Sequence, residues 1–239
     1  MSLIDINEED YLVIACDSVG GIGKKVNDYI DIELDILGYF STQVVLMELL
    51  SVDANIISIV NTISTEMESY GEKIINGISK AVESIGLDPK MIINGSTEEN
   101  IPVTATGLGV VGIGIIKKAE FLNRKIDRDD LIISFGLPRV GKEIIDNEYK
   151  DIMTADKLKA IKEIIDFKEI VPIGSKGIKY EITALSKIKE FEFELFNEED
   201  RNLFKSAGPS TVVMGIISKE DYVKLQEIDI YNKKIGRIK

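Results

Sequence analysis

The sequence predicts an α+β protein, because strand-forming runs and amphipathic helical stretches are mixed along its 239 residues without a regular β-α-β spacing. Apolar residues make up 44% of the chain, which is enough for a packed core and too many for a disordered chain. At about 100–200 residues per domain, the length fits one large domain or two small ones.

The first part of the chain alternates apolar strands with two helices. Residues 37–50 are apolar on nearly every side, as in a buried helix. Between residues 67 and 85 apolar side chains recur at helical spacing, and Gly86 ends the pattern. The glycines of residues 103–116 switch from odd to even positions, which indicates a bulge or a close backbone approach. The predicted strands are residues 11–15, 55–60, 91–94, 103–116 and 131–135.

After residue 135 the pattern of elements changes. Thr154 is placed to begin a helix with one apolar side, and a second helix follows residues 174–177. Two further strands are predicted at residues 169–173 and 211–217. We therefore expect two domains, residues 1–135 and the smaller residues 136–239.

The composition excludes several classes of protein. Asp and Glu outnumber Lys and Arg by 41 to 29, which gives a net charge of −12, and the chain has no basic run. Nucleic-acid binding is not expected, because phosphate contacts need clustered Lys and Arg. The longest apolar run, residues 108–116, is too short for a membrane helix, and the N-terminus lacks the pattern of a signal peptide. We expect a cytoplasmic protein with no membrane partner.

The absence of histidine restricts the chemistry most. A Ser-His-Asp triad, a Cys-His pair and a histidine-based zinc site are all excluded. Any metal is expected to be Mg²⁺ or Ca²⁺ held by oxygen ligands, and any general base to be Asp, Glu, Lys or a substrate group. The one cysteine, Cys16, cannot form an intramolecular disulfide, and we expect it to be a small buried apolar residue.

Asp17 ends the first strand and is followed by the glycine-rich turn 20–25 (GGIGKK). A carboxylate at the end of a buried strand is well placed to hold a metal ion beside a phosphate group. Glycines let backbone N–H groups approach phosphate oxygens, and Lys24 or Lys25 would add positive charge. An ordinary strand-to-turn exit with a capping aspartate explains the same residues equally well.

Two further features of the first half carry acidic residues. Residues 94–100 (NGSTEEN) place small, hydroxyl and acidic side chains at the end of a strand, where they suit either a metal–nucleotide or a solvated hairpin turn. Glu48 lies within an apolar helix between Met47 and Leu49. A carboxylate in such surroundings is usually paired or holds a metal ion.

Three loops of the second half offer backbone donors and basic side chains. Residues 174–177 (GSKG) and 205–210 (KSAGPS) each contain hydroxyl groups and a lysine, Lys176 or Lys205. Such loops suit an anion, although similar loops are common at domain surfaces. Residues 136–142 (GLPRVGK) have the spacing of a phosphate-binding P-loop, but Glu143 replaces the hydroxyl residue that would bind Mg²⁺. A structural turn fits residues 136–142 better.

The order of these motifs resembles the superfamily of aminoimidazole ribonucleotide (AIR) synthetase, thiamine-monophosphate kinase, selenophosphate synthetase and hydrogenase-maturation dehydratase. Members open with a strand that ends in Asp and a glycine-rich turn, matched here by residues 17–24. A long helix then carries an acid six residues before an alanine, matched by Glu48 and Ala54, with Glu in place of the usual Asp. The family's Gly-Gly-acid-Thr loop is matched by residues 94–97, where Ser96 replaces the acid.

The resemblance implies an AIR synthase-like fold, whose N-terminal half dimerises through its sheet and binds ATP with Mg²⁺. Asp17 and Glu48 would hold Mg²⁺, and Glu98 or Glu99 would substitute for the acid missing at Ser96. Catalytic roles are thereby assigned to Asp17, Glu98 and Glu99. The residues assigned to the nucleotide are Gly20, Gly21, Gly23, Lys24, Gly95, Ser96 and Thr97, to which the charge of the C-terminal loops adds Lys176 and Lys205.

Through most of the chain the pattern is most similar to the alpha-ribazole kinases of cobamide salvage. The matching stretches are residues 38–48, 94–100, 136–141, 172–177 and 205–211. This similarity implies phosphoryl transfer from ATP to the 5′-hydroxymethyl group of alpha-ribazole, a nucleoside-like small molecule, by a homodimer. Three alternatives stay open. One is a kinase or ATP-dependent ligase with another substrate, such as thiamine monophosphate, and another is a nucleotide-binding dimer without catalytic activity. The third is plain structural dimerisation, without nucleotide binding.

Overall fold

The computed structural model describes residues 1–122, 124–146 and 149–239. The chain divides into two compact units, Met1–Phe121 and Leu122–Lys239. This division falls earlier than the expected boundary after residue 135, because strand Leu131–Phe135 pairs with strands of the second unit. Strands and helices are mixed in both units, which confirms the predicted α+β class.

The first unit is built on a five-stranded mixed sheet. Its strands are β1 (Ser2–Asp5), β2 (Asp10–Gly20), β5 (Asn55–Ile63), β6 (Ile93–Thr97) and β7 (Gly107–Lys117), in the spatial order β1-β2-β7-β5-β6. β5 and β6 are parallel, whereas the other neighbours in this sheet are antiparallel. A separate two-stranded pair, β3 (Ile22–Gly23) and β4 (Ile30–Asp31), follows β2 directly.

Two long helices cover one face of this sheet. α1 (Leu34–Ser51) packs on β2 and β7, and α2 (Glu72–Ser84) packs on α1, while the short α3 (Pro89–Ile92) precedes β6. The helices approach closely at Gly38 and Gly77, since a Cβ atom at Gly77 would collide with the backbone carbonyl group of Asp35. α2 begins later than the spacing predicts, because a π-type turn at Met67–Gly71 interrupts the pattern.

α1 is apolar on nearly every side because it is largely enclosed. In length and apolar composition it is the one helix in the described ranges that meets the requirements for spanning a membrane, and 67% of it is buried inside the structure. Val45, Leu46, Met47 and Leu49 have no exposed surface at all. This burial is typical of a core helix.

The switch of the β7 glycines from odd to even positions places them on opposite faces of the sheet. Gly112 faces α1, where an added Cβ atom would come within 2.7 Å of the Leu49 side chain. Gly109 faces the other side, where a Cβ atom would lie 2.6 Å from the Thr62 hydroxyl group. The predicted close approach is therefore confirmed, and the bulge lies in β5 between Ile56 and Ser58.

The second face of this sheet is apolar and partly exposed. Along β7, Val111, Ile113 and Ile115 are half-buried, whereas the residues between them are buried on the side of α1. Cys16 pairs with Val111 across the strands and is exposed, so the expectation of a buried cysteine is wrong. The cause is the alternation of side chains along a strand, which places buried Ala15 on the covered face and Cys16 on the open one.

The second unit is built on an antiparallel sheet. Its strands are β8 (Leu131–Phe135), β9 (Phe167–Pro172), β10 (Phe193–Leu195), β11 (Val213–Ile217) and β12 (Asn232–Ile238), in the order β10-β12-β8-β11-β9. The helices of this unit are α5 (Lys142–Asp146), α6 (Ala155–Lys162), α7 (Ile178–Lys189) and α8 (Lys219–Lys224), and α4 (Lys118–Leu122) spans the point in the sequence where the two units meet. Ile178 and Ile182 of α7 join Ile132, Met214 and Ile216 of the sheet in one apolar core.

Candidate functional site

Asp17 and Glu48 form a carboxylate pair between β2 and α1. Val13, Ala15 and Asp17 are every second residue of β2, so the side chain of Asp17 points to the same covered face as buried Val13 and Ala15. Burial raises the pKa of Asp17, and repulsion from the Glu48 carboxylate raises this pKa further. The Oε2 atom of Glu48 is buried, and no described residue gives it a hydrogen bond. It forms an ion pair with the terminal ammonium of Met1, whose nitrogen lies 3.3 Å away. Two carboxylates that repel each other provide a place for a cation.

This pair fits Mg²⁺ bound together with a nucleotide better than it fits a structural metal. Within the described ranges, no group of three or more Cys, Asp or Glu side chains is arranged to hold a metal ion. Mg²⁺ is usually bound through one or two carboxylates and completes its octahedral shell with waters and phosphate oxygens. Asp17 and Glu48 supply that number of protein ligands.

The glycine-rich turn after β2 is fixed against the loop that precedes β7. Gly21 has a left-handed φ of 71° and donates its N–H to the carbonyl oxygen of Thr106 at 2.9 Å. The carboxylate of Asp28 accepts the N–H and the hydroxyl group of Thr106, each at 2.7 Å, and the N–H of Lys25 at 2.8 Å. Sequence reasoning missed Asp28, because its main partner lies far away along the chain.

The two lysines of this turn are paired with acids. Lys24 contacts the carboxylates of Asp31 and Glu33, each at 2.7 Å. Lys25 contacts Glu66 at 2.8 Å. A phosphate group that binds Lys24 therefore has to displace two carboxylates.

The acidic loop after β6 is organised by its own side chains. Glu98 Oε1 accepts two N–H groups of residues 100–101, and these bonds hold the pKa of Glu98 below its ordinary range. Glu99 Oε1 accepts the hydroxyl group of Thr97 at 2.6 Å and the N–H of Met67 at 2.9 Å. The loop is thus preformed, and Glu98 is ionised at neutral pH.

A cleft of about 770 Å³ opens between β2, β5, β6 and β7 of the first unit. Its polar lining combines Glu98 with the hydroxyl groups of Ser18, Thr62, Ser64, Ser96 and Thr97, and Ile101, Val103 and Leu108 are among its apolar residues. The structure therefore brings the predicted residues Ser96, Thr97 and Glu98 together with Ser18. Asp17 precedes Ser18 but points to the covered face of β2, whereas Ser18 shares the open face with Cys16. Ser18 and Thr62 could not be predicted from the sequence. Both lie opposite Gly109, and only the pairing register of the strands shows this.

The other predicted residues of the first unit do not line this cleft. Gly95 is a close-packed position, since an added Cβ atom there would lie 2.5 Å from the carbonyl oxygen of Asn61. The predicted residues outside the lining, as far as the structure describes the chain, are Asp17, Glu48, Gly20, Gly21, Gly23, Lys24, Gly95 and Glu99.

Lys176 and Lys205 belong to the second unit. Lys176 Nζ donates to the hydroxyl group of Tyr180 at 3.1 Å and lies 4.2 Å from the centre of that ring. Lys205 pairs with Glu143 at 2.7 Å. Glu143 also accepts the N–H of Val140 at 3.1 Å and so closes the loop 136–142, as a structural turn requires.

The chain has an AIR synthase-like fold. It is similar to AaThiL, solved in complex with AMPPCP and TMP, with a TM-score of 0.67 and 13% identity over 100% of this chain and 84% of that chain. The protein tt0281 from Thermus thermophilus matches with a TM-score of 0.66 and 12% identity over 96% of this chain and 83% of that one.

T. maritima PurL, solved in complex with ATP, matches with a TM-score of 0.63 and 14% identity over 99% of this chain. The match covers 41% of the PurL chain, so this chain spans about two fifths of PurL. No family model and no curated protein matches the sequence.

Proposed function

We propose that this protein is an ATP- and Mg²⁺-dependent phosphotransferase that acts on a hydroxyl group of a small molecule. The observation that carries the proposal is the hydroxyl-lined cleft in the unit that holds the Asp17–Glu48 pair. Support comes from the fold, because AaThiL and T. maritima PurL were solved with AMPPCP and ATP. Phosphoryl transfer depends mainly on positioning the two substrates and neutralising the phosphate charge, and a chain without histidine can do both.

The predicted residues of the first unit divide the roles in this proposal. Asp17 and Glu48 hold Mg²⁺, which when bound neutralises phosphate charge. The nucleotide lies against Ser96 and Thr97, and Gly95 shapes the strand that carries them. Backbone groups of the turn that contains Gly20, Gly21 and Gly23 approach its phosphates, and Lys24 adds positive charge.

The proposed transfer forms one bond and breaks one. The acceptor oxygen bonds to the γ-phosphorus of ATP, and the bond from that phosphorus to the β–γ bridging oxygen breaks, so that ADP leaves. Glu98 or Glu99 orients the acceptor hydroxyl group and takes its proton. Glu98 suits the orienting role because it lines the cleft and is ionised at neutral pH. Its lowered pKa makes it a weak base, so it passes the proton on to solvent readily.

The acceptor that we propose is the 5′-hydroxymethyl group of alpha-ribazole, in a cytoplasmic reaction of cobamide salvage. The support is the resemblance of motifs spread through both halves of the chain. Thiamine monophosphate is a second candidate, favoured by the likeness to AaThiL. A nucleotide-binding dimer without catalysis is a third, favoured by Ser96 in the place of the family acid.

ADP release from Mg-ATP, measured with and without alpha-ribazole, tests this function. We expect release that depends on alpha-ribazole and exceeds release with thiamine monophosphate. Tight binding of Mg-ATP without any ADP release would support the non-catalytic dimer instead. Absence of Mg-ATP binding would contradict all three candidates.

A homodimer formed through the open face of the first sheet is part of the same proposal. Val111, Ile113 and Ile115 line up on that face, and a partly exposed apolar face of this kind is typical of an interface. We expect the wild-type protein to be a dimer in light scattering, and Ile113→Lys to be a monomer, because a buried lysine without a partner is costly.

Ile188→Lys is the matched control for this prediction, since Ile188 of α7 is 76% exposed in the second unit. This variant should remain a dimer. A wild-type protein that stays monomeric at high concentration would contradict the proposed assembly.

A further inference from the structure

One edge of the second sheet gathers three loops that lie far apart in the sequence. β8 and β9 are both antiparallel to β11, so their carboxyl ends meet at the edge where β11 begins. The loops at this edge are residues 136–142 after β8, 174–177 after β9 and 205–210 before β11. All three were singled out above for their glycines and basic side chains.

Hydrogen bonds join these loops directly. The N–H of Arg139 donates to Thr211 Oγ1 at 3.1 Å. The N–H of Ala207 donates to the carbonyl oxygen of Gly174 at 3.2 Å. Gly177 fits so closely that an added Cβ atom would lie 2.8 Å from the backbone of Phe204. The three loops therefore form one surface.

This surface carries positive charge in a chain whose net charge is −12. Its cations are Arg139, Lys142, Lys176 and Lys205, and the 12-residue helix α7 begins here with the positive end of its dipole. Its acids include Glu143 and Glu181. Lys205 lies 2.7 Å from Glu143, and Arg139 adds further positive potential there. Glu181 lies beside Gly174, and its charge acts on Lys176, so these two carboxylates face four cations.

Two buried polar atoms at this edge have no hydrogen-bond partner within the part of the chain that the structure describes. One is Nε of Arg139. The other is Oγ1 of Thr154, a residue that is only 9% exposed. Thr154 lies near this edge because the preceding residue, Met153, donates its N–H to the carbonyl oxygen of Thr211. Buried polar atoms are almost always paired, so an ordered water or a bound group completes the set at such atoms.

We propose that this edge of the second unit binds the phosphate group of a ligand, with Arg139 and Lys205 as its main contacts. Phosphate fits because a guanidinium and an ammonium group offer charge-assisted hydrogen bonds to its oxygens. In the free protein Lys205 forms an ion pair with Glu143, so the ligand's phosphate group has to compete with the Glu143 carboxylate for Lys205. This site extends the nucleotide-binding role assigned to Lys176 and Lys205 from the sequence. It rests on the proposed function only in the identity of the molecule that carries the phosphate group.

Calorimetric titration of the full chain with inorganic pyrophosphate, without Mg²⁺, tests this site. Wild-type protein is expected to show saturable binding. Lys205→Gln and Arg139→Gln should each weaken it about tenfold, the effect of losing one hydrogen bond to a charged group. The Arg139 substitution leaves its backbone bond to Thr211 in place.

Glu143→Gln provides a test of opposite sign. Glutamine keeps an oxygen to accept the N–H of Val140 but no longer neutralises Lys205, so pyrophosphate should bind several-fold more tightly. A misfolded variant does not produce such a gain. Lys219→Gln, which loses an exposed pair with Asp129, is the matched control and should leave the affinity unchanged.

Competition experiments distinguish the possible sources of the phosphate. Displacement of pyrophosphate by ADP but not by ribose 5-phosphate assigns the site to a nucleotide, and the reverse assigns it to a phosphorylated sugar. Adenosine, which has no phosphate group, should not compete. Absence of saturable binding, or binding that neither Lys205→Gln nor Arg139→Gln weakens, overturns the proposal. A failure of ADP release with Mg-ATP leaves these outcomes unaffected, so the two proposals fail separately.

Discussion

Asp17→Asn is expected to lower kcat for ADP release at least about a thousandfold, because a metal ion contributes several kcal/mol of charge stabilisation in the transition state. The substitution changes almost no volume, so the fold should be retained. The measurement is steady-state ADP production with Mg-ATP and the acceptor, next to a circular dichroism spectrum of the same sample.

The same substitution should maintain or increase stability without Mg²⁺. Burial and the Glu48 carboxylate raise the pKa of Asp17, so the folded state binds its proton more tightly than the unfolded state does. Stability is therefore lost as pH rises through the raised pKa, and at neutral pH the ionised Asp17 destabilises the protein. Asparagine removes that destabilisation.

Mg²⁺ provides the control for this prediction. Added Mg²⁺ should raise the Tm of the wild-type protein by binding its folded state, and it should have little effect on Asp17→Asn. Wild-type kcat in the variant, or an equal rise of Tm in both proteins, would exclude Asp17 as a ligand.

Gly77→Ala is expected to destabilise the first unit by about 2–3 kcal/mol, the usual effect of forcing extra volume into a packed contact. The added methyl group has no space, because its position is that of the Asp35 carbonyl group and lies 2.8 Å from the N–H nitrogen of Tyr39. The sign of this change in unfolding free energy is informative, since a Gly→Ala substitution at an open helix position stabilises a protein by roughly 0.5–1 kcal/mol. Urea unfolding followed by circular dichroism measures the change.

Asn76→Ala is the matched control for this effect. Asn76 precedes Gly77 on α2 but is exposed, and alanine is the better helix former there. We expect a gain of a few tenths of a kcal/mol, or none. A Gly77→Ala protein as stable as this control would mean that α1 and α2 separate at little cost.

The fold could be predicted where local pattern and burial agree. The strand at Leu131–Phe135 was predicted to the residue, because all five side chains are buried and the run is bounded by Asp130 and Gly136. β1 and β12 were missed. All of β1 is exposed, and β12 contains three basic residues, so neither shows the apolar alternation of a half-buried strand.

The candidate site could be predicted only in part, for a related reason. Ser96 and Glu98 could be predicted because polar residues at the end of a strand can be recognised within a single segment of the sequence. Ser18 and Asp28 act through partners on other segments, and no local pattern reports the register that brings them together. The exposure of Cys16 was missed because composition gives the average behaviour of cysteine and not its face on a strand.

The place of β12 affects the order in which the two units can form during synthesis. Each strand of the first sheet has left the ribosome once Lys117 has emerged, so this unit can fold while the rest of the chain is still being made. In the second sheet, β12 is made last but lies between β10 and β8. Until it emerges, β8 and β10 keep unpaired edges, which are prone to pair with another chain. The nascent second unit is therefore the part of this protein that most needs protection by a chaperone.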